Sequence, residues 1–197
     1  MAARGLWLVR HAVTAAPSGV AIGSSDVPLS EAGRTHATAL AAQLASRPLT
    51  AVYASDRLRA VETAKAIAAL HGLSVRTDGR LRELDFGAWE GRRLADLWVE
   101  EPAAAAAWER DIRATPASFG ENVAEMEARL AAFLKDARAA LEGEAGVVAH
   151  RGSLAVLRSI ITGAPLESMF ADGLEPGALA WVTFGSAVEF ADRLQHK

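Results

Sequence analysis

Leu6-Trp7-Leu8-Val9-Arg10-His11 is a short apolar run that ends on a guanidinium and an imidazole. The chain repeats the pattern at Gly146-Val147-Val148-Ala149-His150-Arg151. Runs of this length suit buried parallel strands, and the second leads into a segment of helical periodicity. Ligand sites in open α/β sheets gather at the carboxyl ends of the strands. Both histidines are therefore expected at the functional rim of one sheet, beside fixed positive charge. That describes a site that handles an anion.

Working outward, the alternation of elements points the same way. A loop rich in small and turn-forming residues spans 15–28, and Ser30 is placed to cap a helix carrying Ala37, Leu40, Ala41 and Leu44. Ala51-Val52-Tyr53-Ala54 reads as a second strand. Ser55 or Asp56 is the expected cap of the next helix, whose stripe is Leu58, Val61, Ala64 and Ala68 and whose end is Gly72. Val75 opens a brief third strand. Residues 84–120 break the rhythm: glycines bracket Phe86 and Trp89, and two short helices follow, near 94–98 and 103–110. Met126, Leu130, Phe133, Leu134, Ala137 and Leu141 mark a long amphipathic helix before the second histidine strand. The helix after it runs through Ile160 and Ile161 to Gly163, and a hairpin over 179–190 closes the chain. The predicted fold is α/β: a three-layer sandwich with a mostly parallel central sheet and helices on both faces. Residues 1–197 form one domain in this reading, with 84–120 as a small inserted cap.

Composition narrows the function classes. The chain has 197 residues, of which 51% are hydrophobic, enough for a substantial core. Its net charge of −3 offers no basic face for nucleic acid, so local arginines must hold any anionic ligand. With no cysteine, thiol catalysis, disulfides and thiolate metal sites are excluded. The four-residue apolar run near the N-terminus is too short for a signal peptide, and no run reaches membrane-spanning length. The expected setting is cytoplasmic, as a monomer or homodimer.

Arg59 lies in the first turn of the second helix, where free N–H groups and the helix dipole favour an anion. With Arg10 it makes a candidate phosphate clamp, although Arg57 in the same turn competes on spacing alone. His11, flanked by guanidinium groups, is expected to stay neutral and nucleophilic near pH 7. Its attack on phosphorus would split hydrolysis into two displacements through a phosphohistidine. His150 would stabilise the developing charge on the phosphoryl oxygens. Glu83, among apolar neighbours, is the leading candidate to protonate the leaving oxygen, with Glu90, Asp85 and Glu121 as rivals. The alternative readings are ordinary ones: surface arginines, strand-end histidines, and carboxylates that cap loops.

Arg10-His11, the stretch Ser55 to Ala64, Leu81-x-Glu83 running into Phe86-Gly87-x-Trp89-Glu90-Gly91, and His150-x-Gly152 together resemble the histidine phosphatase superfamily. That group includes the cofactor-dependent phosphoglycerate mutases. The segment Asp26-x-Pro28-Leu29-Ser30-x-x-Gly33 is similar to theirs as well, and the match extends over residues 6 to about 165. The resemblance implies His11 as phospho-acceptor, Arg10, Arg59 and His150 as phosphate pocket, and Glu83 as proton donor. It also implies a small phosphorylated metabolite as partner, no metal and no cofactor, and it chooses Arg59 over Arg57. The candidate set is completed by Thr14 and Gly152 for phosphate, and by Arg151, Ser24 and Trp89 for the rest of the substrate. Within the superfamily, the short segment 108–122 and the stretch after Val147 look most like α-ribazole phosphatase. A short cap leaves room for water, which favours phosphatase over mutase.

Four positions depart from the family pattern. Ala12 and Val13 stand where glycine and glutamate are usual, Pro17 where an asparagine often contacts phosphate, and Arg151 where glycine follows the second histidine. Pro17 removes a side-chain amide and an N–H donor. Ala12 matters only if the backbone there needs a positive φ. A mutase, or a phospholigand-binding module without turnover, are the competing functions. A metal hydrolase built on His11 and His150 leaves the arginines unexplained. Trp89, Trp98 and Trp108 either stack on a substrate ring or pack the cap onto its sheet. His36, His71 and His196 are expected at the surface, and Tyr53 in the core.

Overall fold

The computed structural model describes residues 4–116, 118–171 and 173–184. In chain order the elements are β1 (Gly5–Arg10), α1 (Glu31–Leu44), β2 (Leu49–Ala54), α2 (Leu58–Leu70), β3 (Val75–Thr77), α3 (Leu94–Glu100), α4 (Pro102–Arg110), α5 (Val123–Ala140), β4 (Glu144–Ala149), α6 (Arg151–Thr162), α7 (Leu166–Ala171) and β5 (Leu179–Thr183). The sheet has five strands in the order β3-β2-β4-β1-β5. All neighbours pair parallel except β5, which runs antiparallel to β1. The expected α/β sandwich is the fold.

Side-chain alternation divides the core. Leu6, Leu8, Ala145 and Val147 pack with Leu130, Phe133, Leu154 and Leu157 of α5 and α6. Val9, Val52 and Val148 turn to the opposite face, against Leu40, Leu44 and Ile67 of α1 and α2. Because both faces are covered, β1 and β4 are apolar throughout their middles rather than alternating. A separate cluster lies within residues 84–120, where buried Trp89, Leu97 and Ala105 meet Phe86, Trp98, Trp108 and Phe119. None of the described helices is long and apolar enough to cross a membrane.

The helix ends follow local chemistry. Ser30 caps α1 by accepting from the Gly33 amide. Asn122 and Glu125 form a reciprocal capping box on α5. Gly163 ends α6 in the left-handed conformation that favours glycine (φ 75°). Expectation and structure part at α2, where Arg57, not Ser55 or Asp56, occupies the cap position and makes no side-chain cap bond. Asp56 is drawn off by Arg82, and the Leu58 amide instead donates to Asp26 Oδ1 at 2.7 Å. Helix α7 was not foreseen, because six residues give too little periodicity to read. Strand β4 starts two residues before Gly146, and its Glu144 is buried between Arg47 and Trp7. The second half of the expected terminal hairpin, 187–190, lies outside the described residues.

Candidate active site

Topology places the histidines. Strands β1 and β4 are parallel neighbours with Arg10 opposite Ala149, so the residues that follow, His11 and His150, leave the sheet side by side. The His11 amide donates to Ala149 O at 3.0 Å. Their rings sit edge to face with centroids 5.1 Å apart. Strand β2 borders β4 on its other side and delivers α2, whose second residue is Arg59.

Arg59 is buried and fully oriented. Its Nη1 donates to Ser25 O (2.7 Å), its Nη2 to Gly23 O (2.9 Å) and its Nε to His150 Nδ1 (3.1 Å). The carbonyls it uses belong to a loop held by Glu90, whose carboxylate accepts from the Gly23 and Ser25 amides. Thr63, one turn beyond Arg59, donates to Arg59 O and accepts from the Ala12 amide. Sequence reading did not assign Thr63 or Glu90 these roles, though both lie inside the quoted motifs. Thr63 shares the Arg59 helix face at i+4, which is the signal that would have found it.

These bonds fix the imidazole tautomers. Ala12 O can only accept, so the 2.9 Å contact to His11 Nδ1 puts the proton there and leaves a lone pair on Nε2. Nδ1 of His150 accepts from Arg59, so the proton of its neutral ring is on Nε2, which is buried with no hydrogen-bond partner in the protein. The His11 pKa is pushed down to about 3, chiefly by burial; the hydrogen bond to Ala12 O opposes this, and Arg59 and Arg10 add smaller downward effects. Burial, followed by Arg59 and His11, lowers that of His150 as well. The expected direction holds, but loss of hydration outweighs the neighbouring charges that sequence reading emphasised.

Arg10 donates through Nη1 to Leu174 O at 2.7 Å, while its buried Nε has no partner. Glu83 Oε2 accepts from the Gly152 amide (2.9 Å) and Oε1 from its neighbour Leu84 (3.0 Å). Arg129 holds the main chain beneath it, donating to the carbonyls of Arg80, Arg82 and Glu83. This brace was also missed, since nothing in the sequence links position 129 to position 83.

Arg10, His11, Thr14, Arg59, Glu83, Arg151 and Gly152 line one cavity of about 770 Å³. His150 does not line it, but its ring packs against that of His11, which does. Of the four carboxylates weighed, Glu83 alone borders this cavity. Glu90 clamps the 23–25 loop, Asp85 accepts from the Gly87 amide, and Glu121 pairs with Arg129. Arg57 and Ser24 line a smaller cavity that shares Glu83 with the first and also borders Asp85 and Glu121. Main-chain carbonyls of the 23–25 loop serve Arg59, and Ser24 itself borders that second cavity next to Glu83. For Trp89 the expectation of substrate contact is corrected: it is wholly buried, with its Nε1 donating to Glu101 at 2.9 Å. Trp98 and Trp108 border the cavity in its place. Among the described residues no non-glycine backbone has positive φ, so Ala12 is unstrained. His36 is half-buried rather than at the surface, and Tyr53 packs edge to face on Phe133.

The fold and this arrangement of two imidazoles, two guanidiniums and a carboxylate define a phosphoryl-handling α/β protein. Residues 6–195 match the histidine phosphatase superfamily (branch 1), and the chain belongs to that family. It is 34% identical over 179 residues to the glucosyl-3-phosphoglycerate phosphatase of Mycobacterium tuberculosis, covering 85% of this chain and 79% of the relative. The native structure of the mycobacterial glucosyl-3-phosphoglycerate phosphatase superposes with a TM-score of 0.82 at 30% identity, over 91% of this chain and 89% of that one. The α-ribazole phosphatase of Shigella flexneri superposes with a TM-score of 0.79 at 27% identity, over 92% and 96% of the two chains.

Proposed function

We propose that the protein is a phosphoric monoester hydrolase that works through a phosphohistidine on His11, without a metal ion. The observation that carries this reading is the opposite tautomers of two neutral, adjacent imidazoles: a lone pair on His11 Nε2 and an unpartnered N–H on His150 Nε2. The first is a nucleophile, the second a donor for a phosphoryl oxygen.

In the first step Nε2 of His11 forms a bond to phosphorus as the bond to the ester oxygen breaks, and protonated Glu83 delivers its proton to the departing alkoxide. Arg10, Arg59 and the His150 N–H meet the charge on the three equatorial oxygens, with Thr14 and the Gly152 main chain completing the pocket. In the second step water attacks phosphorus, Glu83 takes up its proton, and the P–N bond breaks to release phosphate and free His11. Each Glu83 oxygen receives one main-chain N–H and keeps a lone-pair site for this transfer. Arg151 would contact the body of the substrate.

Phosphatase names on relatives such as the mycobacterial and Shigella proteins support hydrolysis, while others are named probable phosphoglycerate mutases, which keeps isomerisation as the second reading. The α-ribazole phosphate ester heads the substrates to test, in keeping with a cytoplasmic small-metabolite enzyme. The decisive experiment is phosphate release from a panel of phosphomonoesters in chelator, with His11→Ala as control. Wild-type release that falls on the order of 10³-fold or more in the variant supports the mechanism. Full activity in a folded His11→Ala protein overturns it. Phosphate retained on His11 together with isomerisation of a phosphoglycerate would make the protein a mutase instead.

A further inference from the structure

The cavity extends well beyond the space a phosphoryl group needs, and the groups around that extra space are mostly hydrocarbon. From residues 84–120 come Phe86, Trp98, Trp108 and Ile112. Helices α5, α6 and α7 contribute Val123, Met126, Val156 and Phe170. The loop after His11 adds Pro17, Val20 and Ile22, so a segment following the nucleophile offers apolar side chains. Trp98 and Trp108 border the cavity with their rings. Trp98 Nε1 is engaged by Glu109, and Trp108 Nε1 is shielded without any partner. Charged groups bordering the cavity away from His11, namely Glu109, Arg110, Arg151 and Glu167, are all exposed.

We infer that the substrate is a phosphomonoester of an alcohol with a bulky apolar, aromatic body, lodged between the 84–120 segment and helices α5 to α7. This rests on the phosphatase reading above and specifies its substrate. A polyhydroxylated body would lose water at every hydroxyl and find few partners on these walls, at a cost for each unpaired group. An aromatic ring instead exchanges water for ring edges and aliphatic carbons, the environment most small-molecule sites provide. The glucosyl-phosphoglycerate named for the mycobacterial relative is thus a poor match to these walls.

The test compares 2-(2-naphthyl)ethyl phosphate with glycerol 3-phosphate. Both leave as primary alkoxides, so their kcat/KM ratio reports the body and not the leaving group. We expect a ratio of at least ten in favour of the naphthyl ester. Trp108→Ala and Phe170→Ala, on separate elements, should each reduce that ratio at least threefold; if one fails to fold, the other decides. Turnover of both esters with a ratio near one overturns the aromatic-body inference and leaves the phosphatase reading standing. If neither ester is turned over, the phosphatase reading is decided by the wider panel, and calorimetric Kd values of the two esters decide the cavity question. A tenfold tighter naphthyl ester upholds the inference, and equal Kd values overturn it.

Discussion

Arg59 Nε and His150 Nδ1 are joined by a hydrogen bond of 3.1 Å, between a helix that follows β2 and the residue that ends β4. The bond orients a buried guanidinium and selects the ring nitrogen of His150 that keeps a proton. Because Arg59 also ties down Ser25 O and Gly23 O, the 23–25 loop, the second helix and the second histidine act as one unit.

Replacing Arg59 with lysine should break that unit. A lysine ammonium has no planar fork and can satisfy only part of the three-way set, leaving buried acceptors without donors. We expect a loss of about 2–4 kcal/mol in stability, from those unmatched acceptors and the less solvated charge. Urea denaturation measures it, and phosphate release should fall with it. Unchanged stability would mean that the carbonyls find other donors.

Gly152 is required by contact and not by backbone angle. A Cβ built there would lie 2.3 Å from Glu83 Oε1. Gly152→Ala should therefore displace the Glu83 carboxylate and lower kcat on the order of 10²-fold, the scale of a lost proton donor. KM should move little, and Glu83→Gln should show a comparable loss of kcat. A Gly152→Ala protein with normal kcat would detach Glu83 from the chemistry.

The histidines set an acid limit on stability. In the folded protein the His11 pKa is about 3, and that of His150 is also lowered, against an ordinary value of 6.5. The unfolded chain therefore binds protons below pH 6.5 that the folded state refuses, so the contribution of these rings is complete above pH 6.5. It is lost progressively as pH falls toward 3. Urea midpoints measured from pH 7.5 to 4 should decline, and the decline should be shallower in His11→Asn. Imidazole resonances of His11 that titrate near pH 6.5 would contradict this.

Trp89→Ala should act on folding and not on substrate choice. The ring is fully buried among Trp98, Trp108 and Phe119, and its N–H is satisfied by Glu101. Removing it should cost roughly 3–5 kcal/mol, the range for a large aromatic truncated to alanine in a core. Thermal denaturation reads this out. Trp89→Phe should retain most of the stability, with substrate ranking unchanged.

The sequence by itself determined the sheet, its mostly parallel sense and the candidates for the reactive groups. Buried parallel strands must be apolar on both faces, so Leu6 to Val9 and Gly146 to Ala149 declare themselves, and the residues that break each run fall at the rim. Ser30, Gly72 and Gly163 announce helix ends because capping chemistry is local. Tertiary structure decided what depends on contacts far apart in the chain. That β1 and β4 are neighbours, placing His11 against His150, follows from the strand order β3-β2-β4-β1-β5. The tautomers depend on Arg59 and Ala12 O, the bracing of Glu83 on Arg129, and the support of Arg59 on Glu90. Whether a tryptophan meets substrate or core was also unreadable, since Trp89, Trp98 and Trp108 carry the same chemistry and differ only in where packing leaves them. Periodicity records which face of an element is buried, whereas side-chain partnership between distant elements exists only after the layers have packed.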